Sequence, residues 1–199
     1  EERRNTAYHE SGHAVVAKLL PKADPVHKVT IMPRGFALGL TWQLPEHDRV
    51  NMYKDKMLEE IAILFAGRIS EEIFMNQMST GASNDFERAT KLARAMVTRY
   101  GMSETLGTME YEDADQDSYF GRMSAKTVSE ATQQKVDTEI RSILDEQYAL
   151  SRSLLERNKD KVEMMAKALL EWETIDADQI NDIMAGKEPR PVVVPALAV

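Results

Sequence analysis

Ala7-Tyr8-His9-Glu10-Ser11-Gly12-His13-Ala14-Val15-Val16-Ala17-Lys18-Leu19-Leu20-Pro21 is the stretch on which the reading of this chain turns. Its residues are compatible with a helix up to Pro21, whose ring and missing N–H stop the run. Within that helix His9 and His13 are four apart, and such residues project from one face, one turn above the other. Their imidazole nitrogens can bind a single Zn²⁺, with Glu10 between them placed to take a proton from a water that the metal activates. The plainer alternative is a partly buried helix with two incidental histidines.

Composition narrows the field. A chain of 199 residues suggests one domain, or one plus an appendage, and is long enough to bury a real core. Its 43% hydrophobic and 29% charged residues are ordinary for a soluble globular protein. A net charge of -8 without a Lys/Arg cluster argues against a nucleic-acid partner. Cysteine is absent, so any metal must use nitrogen and oxygen ligands, which suits a hydrolytic site better than a closed structural one. No stretch approaches the ~20 apolar residues of a membrane helix. The apolar run 192–199 is short and is interrupted by Pro195. The chain starts at Glu1 with no signal-peptide pattern, and a piece of something longer is expected.

After Pro21 the hydrophobic period changes to two. Val29 and Ile31, then Phe36, Leu38, Leu40, Trp42 and Leu44, alternate with smaller or polar residues across Pro33-Arg34-Gly35, so residues 28–44 read as a β-hairpin. A long helix is predicted from about Val50 through Ile73, with Gly67 inside it costing about 1 kcal/mol relative to alanine and so suggesting a close packing contact. The loop at residues 80–85 leads into a helix to about Tyr100, with Ser83 or Asn84 as its cap. Residues 101–123 are Gly-containing and acidic. Glu110, Glu112, Asp113, Asp115 and Asp117 read as a solvated mobile loop rather than a metal site. Helices are predicted at 125–157, at 158–172 behind an Asn158 cap, and from Asp176, with Gln179 completing a capping box, to Gly186. The fold class is α+β and mainly α-helical: the His9/His13 helix, a small sheet beside the site, and a C-terminal helical region at 125–186. Residues 187–199, with three prolines, read as a flexible tail.

A catalytic zinc needs a third protein ligand and one open position. No histidine follows at the short distance seen in some zinc peptidases. His27 and His47 are the remaining histidines, each more readily explained as solvated. Carboxylates are better candidates. Asp85 sits at a helix start, where capping alone would explain an aspartate. Glu71 and Glu72 sit on the long helix, where an exposed face with Arg68 as a helical partner would explain both. The residues by themselves leave Asp85 and the glutamate pair open.

A wider set of motifs is present: His9-Glu10-x-Gly12-His13-Ala14, Asp24-Pro25-Val26-His27-Lys28-Val29-Thr30-Ile31, Pro33-Arg34-Gly35, Ala37-Leu38-Gly39, Gly67-Arg68, Glu71-Glu72 and Thr80-Gly81-Ala82-Ser83-Asn84-Asp85. In this order they resemble the FtsH family of membrane-anchored ATP-dependent zinc metalloproteases. The similarity continues to Glu173-Thr174-Ile175-Asp176-Ala177 and so covers nearly all of the chain except the tail. Ser11 departs from a usual alanine and Ala66 from a frequent glycine, and neither change supplies or removes a ligand.

The resemblance implies one Zn²⁺ held by His9, His13 and Asp85, with Glu10 as catalytic base. It implies a zinc endopeptidase domain at residues 1–186 acting on unfolded or membrane-protein polypeptides. In the full-length protein it implies upstream transmembrane segments and an AAA ATPase module, which alone would use ATP, and a homohexamer. The implied setting is a bacterial cytoplasmic membrane with this domain on the cytoplasmic side, while this piece is itself soluble. The sequence carries no Gly-x-x-x-x-Gly-Lys-Ser/Thr phosphate loop. The competing expectation is a non-catalytic helical oligomerisation or interaction module with an incidental HExxH.

Overall fold

Helix α1 (Glu2–Leu19) is covered on all sides rather than along one stripe: from Thr6 to Ala17 every residue but Tyr8 is buried. Small residues make this possible. Gly12 approaches α2 (Lys54–Ser70) so closely that a Cβ on it would lie 2.5 Å from the Ala66 carbonyl oxygen. Ser70 at the same crossing donates its hydroxyl to the Tyr8 carbonyl at 2.6 Å. In this computed structural model, which describes residues 1–33, 39–45, 51–111 and 128–191, α1 packs on α2 and on α5 (Lys159–Trp172). Helix α2 packs in turn on α3 (Ser83–Thr98) and α4 (Glu130–Arg157). Val15, Ile61, Ile69, Met96, Leu155, Met165, Leu169 and Ile180 are fully buried between them, each contributing about 1.5–3 kcal/mol of transfer free energy.

A three-stranded sheet lies beside α1 in the order β2-β1-β3, from β1 (Val26–Thr30), β2 (Leu40–Gln43) and β3 (Thr174–Asp176). Both outer strands run antiparallel to β1, with Val29 opposite Thr41 on one side and Ile175 on the other. The expected hairpin is present as β1 and β2, starting at Val26 instead of residue 28, with a bulge between Val26 and Lys28. Residues 34–38, which hold most of its connection, lie outside the described residues. Strand β3 was not anticipated. It is set up by Glu173, whose φ of 62° turns the chain at the end of α5. The Ile31 N–H donates to the Glu173 carbonyl at 2.9 Å, and the Thr30 and Thr174 hydroxyls bond at 2.8 Å.

Several helix boundaries differ from expectation. Helix α2 starts at Lys54, not Val50, and after Ser70 its winding widens into a π-helical turn, Glu71–Met75. That turn ends where Asn76 takes a φ of 49°. Neither Ser83 nor Asn84 caps α3. A 3₁₀ turn, Thr80–Ala82, leads straight into it, and Ser79 caps that turn by accepting from the Gly81 N–H at 3.1 Å. Helix α4 begins at Glu130 behind Ser129, which accepts from the Thr132 N–H, and residues 125–127 lie outside the described set. Asn158 stands at the N-cap of α5 as expected, where its carbonyl accepts from the Val162 N–H at 3.2 Å, but its side chain makes no capping bond and its amide donates back to the Leu154 carbonyl at 2.8 Å. The capping box of α6 (Ala177–Met184) forms as expected between Asp176 and Gln179. Beyond it the chain turns at Gly186 (φ 73°), and Arg190 pairs with Asp182 at 2.8 Å. The fold is α+β and mainly helical. No helix among the described residues is long and apolar enough to cross a membrane.

Candidate metal centre

Three nitrogen and oxygen atoms converge between α1, α2 and the first turn of α3. His9 and His13 stand one turn apart on α1 and bring their Nε2 atoms to 3.0 Å. Asp85, aimed inward by the 3₁₀ turn before α3, places Oδ2 3.3 Å from His9 Nε2 and 3.4 Å from His13 Nε2. A tetrahedral zinc with bonds of about 2.0–2.1 Å separates its ligand atoms by about 3.3–3.4 Å. The triangle therefore fits one such ion and leaves its fourth position for water or substrate. Among the described residues this is the one group of three or more His, Cys, Asp or Glu side chains that could hold a metal ion.

The neighbours of the triangle fix which ring nitrogens point into it. His9 Nδ1 donates to Glu71 Oε1 at 2.7 Å, and His13 Nδ1 donates to the Ile63 carbonyl at 2.7 Å. Both Nε2 lone pairs are thereby turned towards the centre, the tautomer a metal requires. Gly67 makes the room: a Cβ there would lie 2.5 Å from both His9 Nε2 and His13 Nε2. Ile63 and Gly67 on α2 and Glu71 at the start of the π-helical turn that continues it are four apart, so this single stripe faces both imidazoles.

Glu71 is anchored in turn. Ser79 donates its N–H to Oε2 and its hydroxyl to Oε1, each at 2.9 Å, while Arg68 Nε stands 3.8 Å from Oε2. Burial would raise the Glu71 carboxyl, yet the His9 and Ser79 hydrogen bonds outweigh it and hold it down at about 2. Burial likewise opposes charge on His9, but hydrogen bonds to Asp85 and Glu71 and the charge of Glu10 push its imidazole up to about 9. Asp85, also disfavoured by burial, is held well below the usual carboxylate range by His13 and His9. The group is thus built to hold added positive charge, and a proton and a metal ion compete for it.

Glu10 is buried beside the pair and accepts a hydrogen bond from Thr41 on β2 at 2.8 Å. A cleft of about 1010 Å³ opens over these groups and runs from β2 to the loop before α3. The profile of peptidase family M41 matches residues 1–183.

The chain belongs to peptidase family M41. Over 191 residues it is 75% identical to the "ATP-dependent zinc metalloprotease FtsH" of Cupriavidus metallidurans, covering 96% of this chain and 29% of that protein. Two further proteins of that name are similar. The one from Acidobacterium capsulatum is 52% identical over 194 residues, covering 96% of this chain and 30% of that protein. The one from Myxococcus xanthus is 48% identical over 188 residues, covering 94% and 30%. The chain thus spans under a third of the length of these curated relatives.

In this M41 chain the remaining candidates stand apart from the triangle. Glu71 is fully buried, not on an exposed face, and meets His9 through Nδ1 on the side away from the centre. Glu72 points to α4, accepting from the Tyr148 hydroxyl at 2.6 Å and from Arg152 at 3.1 Å. His27 is exposed on β1, and Glu110 is exposed. His47, Glu112, Asp113, Asp115 and Asp117 lie outside the described residues. Sequence reasoning missed the supporting roles of Glu71, Ser79, Ile63 and Thr41. A signal for two of them was at hand: Gly67 suggests a close contact, and Ile63 and Glu71 are its neighbours one turn either way.

Proposed function

We propose that this chain is a zinc metalloendopeptidase domain that hydrolyses peptide bonds of unfolded polypeptides. His9, His13 and Asp85 hold the metal, and Glu10 is the general base. The observation that carries this reading is the triangle of ligand-type atoms at 3.0, 3.3 and 3.4 Å, whose edges suit a tetrahedral ion. Names given to relatives of the same family support zinc as the ion.

Zinc, when bound, lowers the pKa of a water in its open position and polarises the scissile carbonyl. Glu10 takes a proton from the attacking water and returns it to the departing amine nitrogen, so one water becomes part of a new carboxylic acid and a new amine. Glu71 and the Ile63 carbonyl keep the two imidazoles oriented throughout. Strand β2 is an edge strand lining the cleft. An extended polypeptide adds to that edge through main-chain hydrogen bonds, which grip a chain with little regard to its side chains.

In the longer protein this domain works beside an ATPase module, as a homohexamer anchored in a bacterial cytoplasmic membrane. The domain lies on the cytoplasmic side and degrades unfolded and membrane-protein substrates for quality control. The names of the relatives, ATP-dependent zinc metalloproteases, support the ATP-dependent part of this reading. A helical interaction module with an incidental HExxH would leave both the convergence of Asp85 on the histidines and the clearance at Gly67 unexplained.

Metal analysis of the purified chain beside digestion of unfolded casein, with and without chelator, tests the proposal. Near-stoichiometric zinc and chelator-sensitive cleavage are expected. Glu10→Gln should keep the metal and lose cleavage by about 10²–10⁴-fold. Absence of both zinc and cleavage in the unaltered chain would leave the interaction module as the better reading.

A further inference from the structure

The Glu10 carboxylate sits in a slot built by β2, and the two oxygens of that carboxylate meet different surroundings there. Thr41 Oγ1 lies 2.8 Å from Glu10 Oε2 and 3.1 Å from the Glu10 backbone carbonyl. A threonine hydroxyl has one proton to give, and a charged carboxylate is the stronger acceptor. The hydroxyl therefore ties down Oε2. Two residues earlier Gly39 faces the other oxygen, where a Cβ would come 2.8 Å from Oε1 and 2.8 Å from Cγ. Only a residue without a side chain can pack this closely against Oε1 without displacing the carboxylate.

Alternation along β2 explains why these residues point at α1. Leu40 and Trp42 are exposed on the outer side of the sheet, whereas Thr41 reaches Glu10 and Gln43 reaches the Asp24 carbonyl. Among the described residues the Thr41 hydroxyl bonds to Glu10 and not to His9, His13 or Asp85, so its hydrogen bond acts on the site through Glu10.

We propose that Thr41 is a positioning residue for the general base: its hydroxyl pins Oε2, leaving Oε1, beside Gly39, as the oxygen that takes and returns the proton. This rests on the peptidase reading above. In the ionised state the hydroxyl donates to Oε2. When Oε1 carries the proton, the hydroxyl keeps that bond or turns to the Glu10 carbonyl within its reach, so no polar atom of the pair is stranded in either state. Because Thr41 belongs to the edge strand that receives substrate, the same strand aligns the peptide and the base that acts on it.

The test compares the unaltered chain with Thr41→Val, Thr41→Ser and Gly39→Ala, using an unfolded peptide substrate. Zinc content, kcat, KM and a high-resolution structure of each variant are measured. Thr41→Val keeps the strand and loses only the hydroxyl. It should retain full zinc and a KM within about two-fold, while kcat falls about ten-fold or more, a part of the roughly 10²–10⁴-fold that a general base contributes. Its Glu10 carboxylate should occupy more than one rotamer. Thr41→Ser should restore both a single rotamer and most of kcat, and Gly39→Ala should lower kcat with zinc retained. An active unaltered chain beside a Thr41→Val variant with unchanged kcat, or with kcat lost only in proportion to lost zinc, overturns the role of Thr41 alone. An unaltered chain that neither binds zinc nor cleaves overturns the peptidase reading, and the role of Thr41 with it.

Discussion

Gly67 stands so close to His9 that a Cβ on it would lie 2.5 Å from the imidazole Nε2, the nitrogen that faces Asp85. By helix propensity alone, alanine at a helix-interior glycine gains about 1 kcal/mol. The atoms in the way are the ends of two side chains and not backbone, so the fold can yield by moving the imidazoles. Gly67→Ala is therefore expected to fold, with a melting temperature equal to or above that of the parent without metal, and to bind zinc far more weakly. Thermal melts beside metal titration check this, and unimpaired zinc affinity would show that the close approach is not needed.

Glu71 and Glu72 adjoin in sequence and differ in expected effect. Glu71→Gln keeps an acceptor near His9 Nδ1 but loses the charge, and its zinc affinity should fall about 10–100-fold, as for other groups that orient a metal-bound histidine. Glu72→Ala removes only the partners of Tyr148 and Arg152, and zinc affinity should stay within about two-fold. Competition titration with a chromogenic chelator measures both. Equal losses in the two variants would mean that Glu71 acts through general destabilisation.

Ser11 carries a fully buried hydroxyl with no hydrogen-bond partner among the described residues. A stranded buried hydroxyl costs about 1–3 kcal/mol, and serine is also a weaker helix former than alanine by a few tenths. Ser11→Ala should raise stability by about 1 kcal/mol, a rise of about 2–4 °C in Tm for a chain of this size, with zinc content unchanged. A lower Tm would reveal a partner for that hydroxyl.

Hydrolysis at such a site consumes water and needs no nucleotide, but the substrate must reach it as an extended strand. A folded substrate resists extension by about 5–15 kcal/mol, and this sequence has no phosphate loop to couple ATP to that work. The chain should digest a permanently unfolded reporter, spare its stably folded form, and respond to ATP with neither. Degradation of the folded form by this chain, or stimulation by ATP, would contradict the division of labour.

Much of this was readable before the fold was known. The spacing of His9 and His13, the stop at Pro21 and the Asp176/Gln179 box are local patterns, and each sits where the local rule puts it, whereas the hairpin pairing forms with Leu40 and Trp42 exposed and Thr41 turned to α1. What escaped depended on distant partners. Strand β3 is three residues long, too short to show a period, and exists because Val29 lies between Thr41 and Ile175. Glu71 reads as a solvated helical glutamate. It is buried because His9, 62 residues earlier, and Ser79 satisfy its charge. The capping of the segment before α3 was placed at Ser83 or Asn84, whereas Ser79 starts the turn that delivers Asp85. The choice between Asp85 and the glutamates is three-dimensional, and helix spacing alone could not make it.

The central claim is that His9, His13 and Asp85 hold one zinc, and a crystal structure of the zinc-loaded chain recorded at the zinc absorption edge tests it most directly. One strong anomalous peak is expected about 2.0–2.2 Å from His9 Nε2, His13 Nε2 and an Asp85 carboxylate oxygen, with Glu71 beyond bonding distance and the peak absent in Asp85→Ala. A peak that includes Glu71 and leaves Asp85 outside, or no peak between the two histidines, would contradict it.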